Sequence, residues 1–139
     1  MLIIPIIAWC AAQVLKVVIS SIRERRLKLS SFTTMGGMPS SHTALVCALA
    51  TIVALVHGVG STVFAIAAFF AIIVMYDAAG VRQTVSTQST ILNRMLEELF
   101  KGKPAFQQRL RELIGHTKFE IAAGAGLGIS IALLLAWDW

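Results

Sequence analysis

Six ionisable side chains stand inside or beside long apolar runs of this 139-residue chain: Lys16, His42, Asp77, Arg82, His116 and Glu120. Charged groups in an apolar setting are costly, so each is a candidate for chemistry. His116 and Glu120 are four residues apart, which puts them one above the other on a helical face. A carboxylate so placed can accept from one imidazole nitrogen, fixing the tautomer and leaving the other nitrogen as a nucleophile or base. The same spacing would equally serve a plain hydrogen-bonded pair at a helix start. A metal site made of the two histidines with Glu120 and Asp77 has no recognised ligand spacing behind it. No metal and no other cofactor is expected.

The stretch Gly36-Gly37-Met38-Pro39-Ser40-Ser41-His42 runs directly into an apolar segment. Glycine lets the backbone turn tightly and approach a ligand closely, and proline suits the opening of a helix. The first backbone N–H groups of such a helix have no internal acceptor and favour an anion. Ser40 and Ser41 add hydroxyl donors. Serine is also a favoured N-cap, but a plain cap has no use for the imidazole of His42. Lys16 and Arg23 are seven residues apart, two helical turns, and Arg82 follows Asp77 by five. Cations beside a Gly-Ser nest indicate phosphate. For Arg25, Arg26 and Lys28 the simpler reading is a solvated face that sets topology and attracts anionic headgroups.

The elements that must carry these groups follow from composition. The chain is 57% apolar and 14% charged, with a mean hydropathy of +0.79. A soluble domain carries about 25% charged residues, and a chain this small cannot hide so much apolar surface in one aqueous core. A soluble globular domain and a disordered chain are both excluded. The net charge of +5 and pI near 9.8 would suit nucleic acid. The basic residues instead cluster in two segments between apolar runs, so a bilayer is the expected partner and nucleic acid is not. Cys10 and Cys47 sit within apolar runs and read as small buried hydrophobes. The first run starts at Met1 without a charged leader, so no separate signal peptide is expected.

Spanning takes about 20 mostly apolar residues at 1.5 Å each to cross about 30 Å of hydrocarbon. Four runs approach this, at about residues 1–22, 41–57, 61–79 and 117–137, and none shows the period-2 pattern of a membrane barrel. The expected fold is all-α: one membrane-embedded domain over 1–139, a bundle of about four transmembrane helices. Lys and Arg lie in the connections between the first and second runs and between the third and fourth. The positive-inside rule then puts both connections in the cytoplasm and both termini opposite. Lys16, His42, Asp77, Arg82, His116 and Glu120 all fall at the cytoplasmic ends of their spans. Within the second basic connection, Leu92, Leu96, Leu99 and Phe100 recur at helical spacing across Ser89 to Phe100. This amphipathic segment fits a helix on the membrane surface or against the bundle, or an ordinary solvated connection. A second short helix is expected from Pro104, with Leu110, Leu113 and Ile114 on its apolar side.

GGMPSSH, YDAAGVR and GHTKFE, in this order and separated by apolar runs, resemble the divergent branch of the type 2 phosphatidic acid phosphatase superfamily, to which vanadium-dependent haloperoxidases are related. The resemblance extends from Gln13 and Lys16 to the last run. It implies a site of three blocks: a Lys with an Arg seven residues on, a Pro-Ser-Gly-His block, and an Arg preceding a His with an Asp four later. Lys16 matches the first block, and Arg23 has its spacing although Glu24 follows where the wider pattern has Pro. Pro39, Ser40 and His42 match the second, with Ser41 in place of Gly. His116 matches the nucleophile of the third, and Glu120 stands for its Asp. Position 110, where the wider pattern has Arg, is Leu, and Arg82 is the candidate substitute, with Arg109 or Arg111 behind it.

The function this implies is hydrolysis of a membrane lipid phosphate or diphosphate without metal, through a phosphohistidine on His116. His42 would be the acid and then the base, with Glu120 orienting His116. Lys16, Gly37, Ser40, Ser41 and Arg82 would hold the phosphate, and Gln13, Asp77 and Arg23 would support them. The reading from a different class is a non-catalytic membrane protein that binds headgroups or anions at the same nest. Gly124, Gly126 and Gly128, preceded by Ala122 and Ala123, suit close helix approach. They serve either contacts within the chain or a homodimer.

Overall fold

The computed structural model describes residues 1–25, 37–99 and 117–136. Every regular element among them is helical. Helix α1 is Ile3–Glu24, α2 Ser41–His57, α3 Thr62–Ala79, α4 Val81–Leu99 and α5 Lys118–Leu135. Helices α1, α3 and α5 are long and apolar enough to cross a membrane, and α2 is a shorter apolar helix of 17 residues. The sequence expectation of an all-α bundle with about four apolar spans holds. The helix expected from Pro104, the side chains of Arg23 and Arg82, and residues Arg26, Lys28, Arg109, Arg111 and His116 lie outside what is described.

What is buried explains the class of fold. The buried apolar residues are mostly alanines, joined by a few Ile and Val. Large apolar side chains face outward instead: Ile66, Phe69, Ile73 and Tyr76 on α3 and Phe119 and Leu134 on α5 are more than 60% exposed. An aqueous protein would invert this arrangement. In lipid, helices gain from close packing of small residues, and the outer face is free to be apolar. The chain is a multi-pass membrane protein. Cys10 departs from the sequence expectation of burial: it is exposed on the outer face of α1 along with Ile6, Ile7 and Val14, whereas Cys47 is buried.

Helix α2 lies at the centre, packed on α1, α3 and α5. Helices α1 and α5 also meet, while among the described residues α4 touches α3 alone. The α2–α5 pair is parallel and in backbone contact. A Cβ on Gly124 would run into the carbonyl oxygen of Ser40, and one on Gly128 into that of Ala44. Four residues along one helix match four along the other, in the same direction. Ala132 and Ala48, both fully buried, continue the line into a core with Ile4, Ala8 and Ile52. Gly124 and Gly128 thus serve contacts within the chain, whereas among the described residues a Cβ on Gly126 would meet nothing within 4 Å.

Two tight connections complete the bundle. Helix α2 ends at Gly58, whose φ of +82° is ready for glycine, and Ser61 caps α3 by accepting from the Phe64 N–H at 3.2 Å. At the other end of α3, Gly80 alone separates it from α4. Helix α4 begins at Val81, eight residues before the amphipathic segment expected at Ser89. The reason is local. Residues Val81 to Ser89 are rich in Val, Thr and Ser, which have weak intrinsic helix propensity, so the helix there is held by its continuity with the stronger segment after it.

Candidate functional site

The first turn of α2 is built by Ser40. Its Oγ accepts from the Thr43 N–H at 3.4 Å and from the Thr43 hydroxyl at 3.0 Å, and both residues are fully buried. Ser40 is therefore an N-cap, and its own hydroxyl hydrogen is what it can still give to a ligand. Its backbone N–H donates to the backbone carbonyl of Glu120 at 3.1 Å. That bond ties the start of α2 to the start of α5.

Helix α5 opens with a capping box. The Glu120 N–H donates to Thr117 Oγ1 at 3.3 Å, and the Thr117 N–H donates to Glu120 Oε2 at 3.0 Å. The Thr-x-x-Glu signal for this stands in the sequence at Thr117 and Glu120. Glu120 is thus anchored to the backbone immediately following His116.

Lys16 comes from the inner side of α1 and is only 4% exposed. Gly37, at φ +90°, turns the chain over it: a Cβ there would stand 3.4 Å from Lys16 Cγ and 3.6 Å from Cδ. A side chain at 37 would be strained by that φ, so the glycine is required there, and the lysine stem lies in van der Waals reach beneath it. Lys16 and Glu120 also interact through charge. Ser41 is 1% exposed and Gln13, one turn before Lys16, is 8% exposed. Met38–Pro39, a cis bond, leads into Ser40.

Lys16, Gly37, Ser40, Ser41 and Glu120, anticipated from the sequence, thus gather at one end of the bundle. Two parallel helices begin there, and aligned peptide dipoles give each N-terminus a partial positive charge. With the Lys16 ammonium, three positive features converge, an arrangement that favours an anion. His42 is exposed at the second position of α2, and Asp77 is partly buried in the last turn of α3. Thr43 was not anticipated. It is buried, gives its hydroxyl to Ser40, and its Cβ lies against Gly124. Its sequence signal is slight: a Thr three residues after an N-cap Ser.

Comparison with known proteins shows the family. The family model described as the Divergent PAP2 family matches residues 1–131. The uncharacterized membrane protein YuiD of Bacillus subtilis (strain 168) is 42% identical over 137 residues, covering 91% of this chain and 87% of that protein. No solved structure matches. With nearly the whole chain matched by the family model and by a full-length relative, the protein belongs to the Divergent PAP2 family.

Proposed function

We propose that the protein hydrolyses a membrane lipid phosphate or diphosphate at the cytoplasmic face, with both termini on the opposite side. One observation carries the reading: a lysine 4% exposed, folded under Gly37 beside the starts of two parallel helices. A lysine held at that spot can give charge-assisted hydrogen bonds to a phosphate. Family membership supplies the chemistry such a site would perform.

In this reading a His116 nitrogen attacks phosphorus, a P–N bond forms and the P–O bond to the lipid breaks. His42 gives its proton to the departing oxygen. His42 then takes a proton from water, whose oxygen attacks phosphorus, breaks the P–N bond and releases inorganic phosphate. Glu120, anchored by Thr117, orients the His116 ring. Lys16, Ser40, Ser41, Arg82 and the Gly37 turn stabilise the charge on the equatorial oxygens, and Gln13, Asp77 and Arg23 support them. A homodimer that further shields the site would need the Gly126 face of α5, because Gly124 and Gly128 are already occupied by α2.

A second reading, anion or headgroup binding without turnover, is favoured by one observation: the Glu120 carboxylate is engaged as a capping group on Thr117. Purified protein in detergent, given phosphatidate, lysophosphatidate and isoprenoid diphosphates, separates the two. The phosphatase reading expects phosphate release that vanishes in His116→Ala and His42→Ala. Vanadate binding that Lys16→Met abolishes, with no release from any lipid, selects the second reading. Neither release nor vanadate binding overturns both.

A further inference from the structure

Helix α4 presents its apolar side outward. Val85, Leu92 and Leu99 repeat at seven residues and so lie along one line, with Met95 beside it. Leu99 is 78% exposed, Met95 55% and Leu92 47%, while Asn93, about 100° round the helix from Leu92, is 6% exposed. The helix therefore buries a polar residue and leaves its apolar stripe open. Among the described residues it meets only α3, so the stripe is not packed against the other described helices.

The surroundings of α4 indicate what covers the stripe. Gly80 is the single residue between α4 and α3, and the outer face of α3 (Phe69, Phe70, Ile73 and Tyr76, each at least half exposed) can only be solvated by lipid. The stripe begins where that lipid-facing surface ends. With Gly80 as the joint, α4 leaves the end of a spanning helix at the level where hydrocarbon gives way to headgroups. Its polar side carries Arg94 and Glu98, both exposed.

We infer that α4 is an interfacial helix, lying in the membrane plane with Val85, Leu92, Met95 and Leu99 in the acyl boundary of the leaflet on the site side. The occupant of the stripe is phospholipid. Within Val81–Leu99 two arginines, Arg82 and Arg94, balance two glutamates, Glu97 and Glu98. Insertion is therefore driven by apolar area rather than by anionic headgroups. In consequence α4 sets the level of the bilayer surface relative to the starts of α2 and α5. The inference is independent of whether the site turns over its ligand.

The test uses the full chain in vesicles, with Cys10 and Cys47 changed to alanine and nitroxide labels placed singly at Leu92→Cys, Leu99→Cys, Arg94→Cys and Glu98→Cys. At positions 92 and 99 collisions with oxygen should exceed those with an aqueous nickel chelate. At 94 and 98 the order should reverse. The pattern should be the same in phosphatidylcholine vesicles and in vesicles with one third phosphatidylglycerol. Nickel access at all four positions would make α4 a solvated connection and overturn the inference. Spin–spin broadening between copies at 92 or 99 would assign the stripe to a second chain and overturn it equally.

Discussion

Where α2 and α5 begin, the bundle buries Gln13, Lys16, Ser40, Ser41 and Thr43; further along the same helices it buries Ile4, Ala8, Ala48, Ile52 and Ala132. The helices are continuous through both regions, so one set of axes serves two purposes. The far region gains dispersion and close contact from small and branched apolar groups. The near region buries hydroxyls and an ammonium, each costing on the order of 1–3 kcal/mol where hydrogen bonds do not compensate. Stability should accordingly reside in the far region and ligand chemistry in the near one, with the Gly124 and Gly128 contacts holding the two in register.

Lys16→Met is the sharpest way to break that comparison. Removing one charge-stabilising donor from a site costs on the order of 10²–10³ in rate, about 3–4 kcal/mol. Phosphate release should fall by that order, while the thermal midpoint in detergent falls only modestly, because the Glu120 carboxylate left without the lysine charge keeps its bond from the Thr117 N–H. A large loss of stability would move Lys16 to the structural side. Ile52→Ala should do the opposite. Ile52 is 1% exposed in the apolar core, and its truncation should cost about 3 kcal/mol, read by unfolding in detergent, with activity per folded molecule unchanged.

Gly128→Ala probes the register. Its Cβ would collide with the Ala44 carbonyl, so about 2 kcal/mol of stability should be lost as α2 and α5 part. Thr117→Ala removes the α5 cap and should cost about 1 kcal/mol, whereas Glu120→Gln, which retains an acceptor for the Thr117 N–H, should cost less than half of that. Gly126→Ala is the smallest effect and has the opposite sign. Among the described residues nothing stands within 4 Å of a Cβ there, so relief of glycine's conformational freedom should stabilise α5 by about 0.5–1 kcal/mol. Destabilisation at 126 would reveal a second chain packed on that face.

The apolar runs and the residues at their ends were legible because hydropathy and helix rise are properties of local sequence. Helix α2, for example, occupies Ser41–His57 as its composition suggested. The gathering of Lys16, Gly37, Ser40 and Glu120 followed from placing every span end at one level. What sequence could not decide was which of three neighbouring glycines touch α2. Gly124, Gly126 and Gly128 are alike in type, and only the rotation of α5 about its axis distinguishes the two in contact from the one exposed. The Thr117–Glu120 capping box was readable in the Thr-x-x-Glu pattern. The start of α4 was hidden because Val81 to Ser89 lacks strong helix formers.

In the proposed mechanism His116 becomes phosphorylated. The most direct measurement is an alkaline detergent quench of the purified protein during exposure to ³²P-labelled phosphatidate or isoprenoid diphosphate, followed by peptide mapping of protein-bound label at alkaline pH. The account predicts an acid-labile, base-stable phosphoryl group on His116, present in the wild type, absent in His116→Ala, and accumulating in His42→Gln, where hydrolysis of the intermediate lacks its base. Phosphate release with label on another residue, or with the same rate in His116→Ala, would contradict it.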